Sequence, residues 1–171
     1  MSRSPALFLD RDGVVNVEKH YLFRIEDFQF MDGLFELCRR YRDDGFRLVV
    51  ITNQSGIARG YYSRQDVEIL HAWMLDRFRD EGVPLDGLYL CPHHPAVDGD
   101  CPCRKPRPGM ILQAATELDL DLTNSVLLGD KESDLEAGRR AGIAKLGLVR
   151  GKTSIEGVEW APAPRIPEPS A

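Results

Sequence analysis

Ala6-Leu7-Phe8-Leu9-Asp10-Arg11-Asp12-Gly13 begins as a continuous apolar run and ends in two carboxylates and a glycine. The apolar run is typical of a buried strand, and the glycine permits a tight turn directly after it. Neighbouring carboxylates repel each other unless a divalent cation lies between them or one of them carries a proton. Either arrangement suits phosphoryl transfer, in which one carboxylate attacks phosphorus while the other handles the proton. Asp and Gly are also common in solvated turns, and this motif alone leaves that alternative open.

Four further apolar runs alternate with helical patterns along the chain. Strands are predicted at Leu48–Ile51, Leu88–Leu90, Val126–Leu128 and Leu146–Val149. Helices are predicted from apolar residues at helical spacing over Leu34–Tyr41 and Val67–Phe78, after Pro108, and over Glu132–Ala141. Short apolar strands separated by helices predict an α/β protein with a three-layer, Rossmann-like fold and a mostly parallel central sheet. Ligands in such folds bind beyond the carboxyl ends of the strands, where each polar motif described below lies.

Composition and charge describe an ordinary globular protein of 171 residues. It is 43% hydrophobic and 29% charged and has a net charge of −5, which argues against nucleic-acid or anionic membrane partners. The apolar runs are far shorter than the ~20 residues that span a bilayer, and the start of the chain lacks a signal-peptide pattern. We therefore expect a cytoplasmic monomer with one domain over residues 1–152. Residues 153–171 are predicted to form a loosely packed tail, although Ile155, Val158 and Trp160 could fold back onto the domain.

Two polar motifs after the second and third strands have side chains that suit phosphate binding. Thr52-Asn53-Gln54-Ser55-Gly56 offers a hydroxyl and backbone N–H groups to phosphate oxygens, although a plain polar loop is an equal alternative. Further along, Lys105 can neutralise a phosphoryl oxygen, and Arg104 can hold a second phosphate or a sugar hydroxyl with its planar fork. Basic residues before a helix are more often simply solvated.

The fourth strand is followed by Gly129-Asp130-Lys131-Glu132-Ser133-Asp134. Asp130 has the same position after its strand as Asp10 and is a candidate to complete an oxygen-ligand site for Mg²⁺, which binds one or two protein carboxylates. Asp134 is expected to support the site indirectly, or to compensate the positive end of the following helix. Lys131 is expected to face the substrate.

A cysteine-rich loop, residues 91–105, joins the third strand to the next predicted helix. One Cys-x-His and one Cys-x-Cys supply three thiolates and one imidazole, a set that suits a closed tetrahedral Zn²⁺ site. The expected ligands are Cys91, His93, Cys101 and Cys103. His93 is favoured over His94 because its spacing from the first cysteine equals the spacing within the second pair. Free thiols are the alternative, whereas a disulfide framework explains three clustered cysteines poorly.

Four successive strands are followed by Asp with Asp, then by Thr, Lys and Asp. This order resembles the four motifs of the haloacid dehalogenase superfamily. This resemblance implies that Asp10 is the nucleophile, which forms an aspartyl-phosphate, and that Asp12 protonates the leaving oxygen and then activates water. Thr52 and Lys105 would hold the transferring phosphoryl group. The catalytic Mg²⁺ would be bound by Asp10, Asp130 and the backbone carbonyl of Asp12.

Three segments together resemble the heptose-bisphosphate phosphatase family within this superfamily: the zinc loop, Asp10–Asn16 and Thr52–Gly60. The resemblance implies a capless enzyme that hydrolyses the C7 phosphate of D-glycero-D-manno-heptose 1,7-bisphosphate. Histidinol-phosphate phosphatases share the zinc loop and are the main alternative, and an inactive zinc-stabilised binding module is another. The implied substrate contacts are Glu18, Lys19, His20, Tyr21, Asn53, Gln54, Ser55, Arg104 and Lys131. Residue types alone favour an exposed connection over residues 18–21.

Overall fold

A six-stranded sheet forms the centre of the protein in the computed structural model, which describes residues 2–162. The strands are β1 (Ala6–Leu9), β2 (Arg47–Asn53), β3 (Gly87–Cys91), β4 (Val126–Gly129), β5 (Lys145–Leu148) and β6 (Glu159–Trp160). Their order across the sheet is β3-β2-β1-β4-β5-β6. The first five strands run parallel, and β6 pairs antiparallel with β5. The predicted α/β fold with a mostly parallel sheet is confirmed.

Helices cover both faces of this sheet and complete the three layers. They are α1 (Leu34–Asp43), α2 (Arg64–Asp80), α3 (Pro95–Asp98), α4 (Gly109–Leu118) and α5 (Glu132–Ala141). Ser63 starts α2 through a capping box, in which its side chain and that of Asp66 each accept a backbone N–H of the other residue. Within residues 2–162, no helix combines the length and apolarity needed to cross a membrane.

Alternate residues of β1 belong to the two halves of the core. Leu7 and Leu9 pack in the half that contains α1 and α2, whereas Ala6 and Phe8 pack in the half that contains α4 and α5. All four side chains are fully buried. Each large one contributes about 1.5–3 kcal/mol through burial. The continuous apolar pattern of β1 follows from this arrangement, because both faces of a central parallel strand are covered.

The register of the sheet brings the polar motifs to one edge. Strand β1 lies between β2 and β4, and Leu9 is aligned with Val50 and Leu128. Asp10 continues this alignment, because its backbone N–H donates to the carbonyl of Leu128 over 3.1 Å. The segments that follow β1, β2 and β4 therefore leave the sheet side by side, at the position where open α/β sheets bind ligands.

Two elements differ from the sequence prediction. The cysteine-rich loop contains the one-turn helix α3, which starts at Pro95 and is capped by the His94 ring accepting from the backbone N–H of Ala96. The segment after residue 152 was predicted as a loosely packed tail, with folding back onto the domain as the alternative; in the structure it folds back, because Ile155 is buried and β6 extends the sheet. The remainder of the predicted tail, residues 163–171, lies outside the described residues.

Candidate active site

Asp10 and Lys105, which are 95 residues apart in sequence, form a buried ion pair at the carboxyl edge of the sheet. Lys105 Nζ lies 2.8 Å from Asp10 Oδ1 and 2.6 Å from Asp134 Oδ1. Asp10 Oδ1 also accepts the backbone N–H of Arg11 over 2.9 Å. Burial alone would lower the pKa of Lys105, but the charges of Asp10 and Asp134 outweigh burial and raise it. Lys105 is therefore a fixed cation beside the candidate nucleophile.

Three carboxylates crowd around this lysine. Asp10, Asp130 and Asp134 each offer an oxygen, and these oxygens lie within 4.8 Å of one another. Burial raises the pKa of Asp10 well above its ordinary value and raises the pKa of Asp130 to about 6. The charge of Asp134 adds to the rise in both groups. Asp130 Oδ1 is buried without a hydrogen-bond partner. One ammonium group does not balance three carboxylates, so this cluster fits a divalent cation with oxygen ligands.

Asp134 has a different role from the other two carboxylates. Its Oδ2 accepts the backbone N–H groups of Asp130 and Lys131, each over 3.1 Å, while its Oδ1 contacts Lys105. Both oxygens are therefore occupied by protein donors. Asp134 holds Lys105 and the start of α5, and Asp10 and Asp130 remain the better candidates for metal binding.

Gly13 allows the first and fourth motifs to approach each other. Its φ is +90°, a conformation that favours glycine, and a Cβ built on it would lie 2.2 Å from Asp130 Oδ2. A side chain at this position would therefore collide with the candidate metal ligand. The glycine of the Asp-x-Asp-Gly motif is required both by its turn and by the neighbouring carboxylate.

Asp12 is held by hydrogen-bond donors on both of its oxygens. Arg11 Nη2 lies 2.8 Å from Oδ1, Asn16 Nδ2 lies 3.0 Å from Oδ1, and Gln54 Nε2 lies 3.1 Å from Oδ2. Burial raises the pKa of Asp12, but the charge of Arg11 and these hydrogen bonds outweigh burial and lower it. Asp12 is thus ionised in the free protein and oriented to accept a proton.

The sequence analysis did not predict the buried hydrogen bonds that hold Asp12 through Arg11. Arg11 is fully buried, and its Nη1 donates to His71 Nε2 over 3.1 Å. Burial, and next the charge of Arg11, lower the pKa of His71 to about 3, so the ring is neutral and accepts. The available signal was the placement of His71 on the apolar face of α2, between Leu70 and Met74.

The predicted phosphate loop contacts the other motifs through side-chain amides. Asn53 Oδ1 accepts the backbone N–H of Lys105 over 3.1 Å. Gln54 Nε2 donates to Thr52 Oγ1 over 2.8 Å in addition to its contact with Asp12. Thr52 and Gln54 are buried, whereas Ser55 is half-buried at the rim.

The other predicted substrate residues lie at the rim of the site. Residues 18–21 are exposed, and His20 and Tyr21 have φ values of 23° and 55°, which are uncommon outside glycine and recur at functional loops. Arg59 Nη1 donates to the Tyr21 hydroxyl over 2.7 Å and thereby joins this segment to the Thr52–Gly60 loop. Half-buried Arg104 donates to the carbonyl of His93, and Lys131 is exposed.

The four predicted zinc ligands lie together on the neighbouring loop. Their ligand atoms are within 4.8 Å of one another, and His93 Nδ1 lies 3.3 Å from Cys103 Sγ and 3.6 Å from Cys91 Sγ. Cys101 Sγ lies 3.5 Å from Cys91 Sγ. This Cys₃His group could hold a zinc ion, while the side chain of His94 caps α3 instead.

Comparison with known proteins agrees with this geometry. A sequence profile described as HAD-hydrolase-like matches residues 102–167. A protein of Campylobacter jejuni named D-glycero-alpha-D-manno-heptose-1,7-bisphosphate 7-phosphatase is 50% identical, over 86% of this chain and 83% of that protein. A Yersinia pestis protein with the corresponding beta-anomer name is 49% identical, over 85% of this chain and 80% of that protein. The chain belongs to the heptose-bisphosphate phosphatase family of the haloacid dehalogenase superfamily. The family predicted from the sequence motifs is confirmed.

A solved structure of this family also contains the expected ion. The D,D-heptose 1,7-bisphosphate phosphatase of B. bronchiseptica, complexed with magnesium and phosphate, is 35% identical to this chain, with a TM-score of 0.74. The match covers 82% of this chain and 78% of that chain. Magnesium in that relative agrees with the carboxylate cluster of this protein, and the Cys₃His group agrees with the predicted zinc.

Proposed function

We propose that this protein hydrolyses the C7 phosphate of D-glycero-D-manno-heptose 1,7-bisphosphate through an aspartyl-phosphate intermediate. The observation that carries the proposal is that one edge of the sheet brings Lys105 into contact with Asp10 and, through Gln54, links Asp12 to Thr52. These four side chains supply a nucleophile, an acid–base, a hydroxyl donor and a fixed cation, the groups that phosphoryl transfer requires.

In the first step, an oxygen of Asp10 attacks phosphorus as the bond between phosphorus and the C7 oxygen breaks. Asp12 gives its proton to the departing sugar oxygen, which leaves as an alcohol. The hydrogen bonds to Asp12 lower its pKa in the free protein, whereas the negative charge of a bound phosphate opposes them and favours the protonated form. Lys105 and Thr52 stabilise the charge on the transferring phosphoryl oxygens.

In the second step, Asp12 is a carboxylate and takes a proton from water. The water oxygen attacks phosphorus, the bond to Asp10 breaks, and inorganic phosphate leaves. The Arg11 and Asn16 contacts hold Asp12 in the same place for both proton transfers. One carboxylate therefore serves as acid and then as base.

Magnesium would be held by Asp10 and Asp130, with the backbone carbonyl of Asp12 as a proposed third protein ligand. When bound, it would supply positive charge that offsets the phosphoryl oxygens and keeps Asp10 ionised. Zinc would fix the loop before Arg104 and Lys105. The contact of Arg104 with the carbonyl of His93 supports this coupling between the zinc loop and the substrate rim.

The substrate preference rests on rim residues and on the relatives. Arg104 is available as a cation for the second phosphate, outside the reaction centre. Residues 18–21, Asn53, Ser55 and Lys131 are proposed to contact or frame the sugar. The relatives quoted above are named for heptose bisphosphates, which favours that substrate over histidinol phosphate. Intact catalytic side chains argue against an inactive binding module.

We also propose that the enzyme is a cytoplasmic monomer. Thiolate ligands for zinc require reduced cysteines, which the cytosol maintains. The proposed catalytic and metal-binding side chains all come from one chain. Size-exclusion chromatography with light scattering tests the oligomeric state, and a dimer would overturn that part of the proposal.

The substrate assignment is tested by comparing phosphate release from heptose 1,7-bisphosphate, histidinol phosphate and other phosphate esters. We expect the highest kcat/KM for the heptose bisphosphate. Phosphorus NMR should show loss of the C7 phosphate with the C1 phosphate retained. Preference for another ester, or release of the C1 phosphate, would overturn the substrate assignment but leave the mechanism intact.

A further inference from the structure

Gln54 is a buried side chain that contacts two of the proposed catalytic residues at once. Its Nε2 lies 3.1 Å from Asp12 Oδ2 and 2.8 Å from Thr52 Oγ1, and the residue is 2% exposed. A primary amide has two N–H hydrogens, and these two contacts use both. Gln54 therefore cannot donate to a sugar without giving up one of them.

Tyr62 determines which way the amide of Gln54 points. The Tyr62 hydroxyl lies 2.7 Å from Gln54 Oε1. The amide nitrogen faces Asp12 Oδ2 and Thr52 Oγ1 and the amide oxygen faces the Tyr62 hydroxyl, so each side of the amide meets a group that can pair with it. Burial is the main cause that raises the pKa of Tyr62 to about 12, so its hydroxyl keeps the proton that it donates.

Packing fixes Tyr62 in turn. Its ring stacks on Phe23 with 5.3 Å between the ring centroids. A Cβ built on Gly56 would lie 2.4 Å from the Tyr62 ring, so the glycine of the Thr-Asn-Gln-Ser-Gly motif leaves the space that this ring occupies. The sequence motif and the aromatic residue six positions later thus form one unit.

This arrangement has a direct consequence for the proposed chemistry. Thr52 Oγ1 accepts a hydrogen bond from Gln54 over 2.8 Å, and its own proton makes only a long contact of 3.5 Å with the carbonyl of Asn53, which it can exchange for a phosphoryl oxygen. Gln54 also holds the Oδ2 side of Asp12, while Arg11 and Asn16 hold Oδ1. We propose that Gln54, oriented by Tyr62, is a positioning residue that aligns Asp12 for proton transfer and Thr52 for phosphoryl binding. The inference rests on the proposed function and replaces the expected sugar contact of Gln54.

The test measures kcat/KM for p-nitrophenyl phosphate, phenyl phosphate and heptose 1,7-bisphosphate with Gln54→Leu and Tyr62→Phe. Phenolate is the more basic aryl leaving group and depends more on a proton from Asp12. We expect Gln54→Leu to lower kcat/KM for phenyl phosphate about tenfold more than for p-nitrophenyl phosphate. This factor is smaller than the full rate contribution of general acid catalysis, because Asp12 is misaligned rather than removed. Tyr62→Phe should change the ratio in the same direction. Tyr61→Phe, at the exposed neighbouring residue, is the matched control and should leave the ratio unchanged.

Equal losses for the two aryl esters would overturn the inference, because a general structural defect has no leaving-group dependence. A loss confined to the heptose bisphosphate would also overturn it and restore the sugar contact. If Gln54→Leu does not fold by circular dichroism, Tyr62→Phe decides, because it keeps the aromatic ring and its packing. Wild-type protein inactive on all three esters would instead overturn the proposed function, and this inference with it.

Discussion

Asp130→Asn is expected to stabilise the metal-free protein and to abolish its response to Mg²⁺. In the metal-free fold, burial raises the pKa of Asp130 from its ordinary value of 3.8 to about 6, and the charge of Asp134 adds to the rise. The folded state thus binds this proton more tightly than the unfolded chain. The contribution of Asp130 to stability therefore falls as the pH rises from 3.8 to about 6 and stays reduced above that range. Asn has the same shape without the charge.

The magnitude follows from the pKa. A rise from 3.8 to about 6 corresponds to about 3 kcal/mol, at 1.36 kcal/mol for each pKa unit. Asp130 is half-buried, and solvent screening reduces this figure to about 1–2 kcal/mol. We therefore expect Asp130→Asn to raise the Tm of the metal-free protein at neutral pH by about 3–6 °C. For the wild type, Mg²⁺ at about a hundredfold its Kd should add about 2.7 kcal/mol.

Differential scanning fluorimetry with and without Mg²⁺ measures both effects, in buffer that retains zinc. Below the pKa of Asp130, the Mg²⁺ effect on the wild type should shrink, because protons compete with the metal. Glu132→Gln is the matched control: it removes one carboxylate charge at a side chain that is 74% exposed, and both Tm values should stay near wild type. A lower metal-free Tm for Asp130→Asn, or an undiminished Mg²⁺ effect, would refute the reasoning.

Three shorter predictions concern the nucleophile, the turn and the zinc loop. Asp10→Asn should abolish turnover and leave the circular dichroism spectrum unchanged, because it removes the attacking charge and keeps the shape. A variant as active as the wild type would contradict the assignment of Asp10 as the nucleophile. Gly13→Ala should weaken Mg²⁺ activation, measured as a higher Mg²⁺ concentration for half-maximal rate, because its Cβ meets Asp130; an unchanged Mg²⁺ titration would count against this. Zinc removal should lower Tm and activity together, because the loop positions Lys105; full activity of zinc-free protein would exclude this coupling.

The sheet and the core could be predicted from the sequence because burial has a simple pattern in this fold. Strands covered on both faces are continuous apolar runs, and β1 was predicted with the observed bounds of Ala6–Leu9. The edge strand β6 has two exposed residues and no such pattern, so it was not predicted. Its position depends on pairing with β5, which is a tertiary contact. The short helix α3 likewise depends on a local cap by His94.

In the candidate site, too, some features follow from the sequence pattern and others depend on tertiary contacts. The resemblance of the motif order to the haloacid dehalogenase superfamily predicted that Asp10 and Lys105 would lie together, and the structure shows them in contact. Parallel strands favour this meeting because they deliver their carboxyl ends to one edge. The full burial of Arg11 was not predictable, because a charged residue in a turn is normally solvated. Only the fold brings His71 and the carbonyl of Leu22 to its guanidinium group. Hydrogen-bond partners of this kind are set by packing between distant segments.

The most direct test is detection of the phosphoryl group on Asp10. Wild-type protein is mixed with heptose 1,7-bisphosphate and Mg²⁺, quenched in acid within one turnover, digested and analysed by mass spectrometry. We expect the peptide that contains Asp10 to carry one phosphoryl group, and the Asp10→Asn variant to carry none. Turnover without any phosphorylated peptide, or a phosphoryl group on a different residue, would contradict the mechanism.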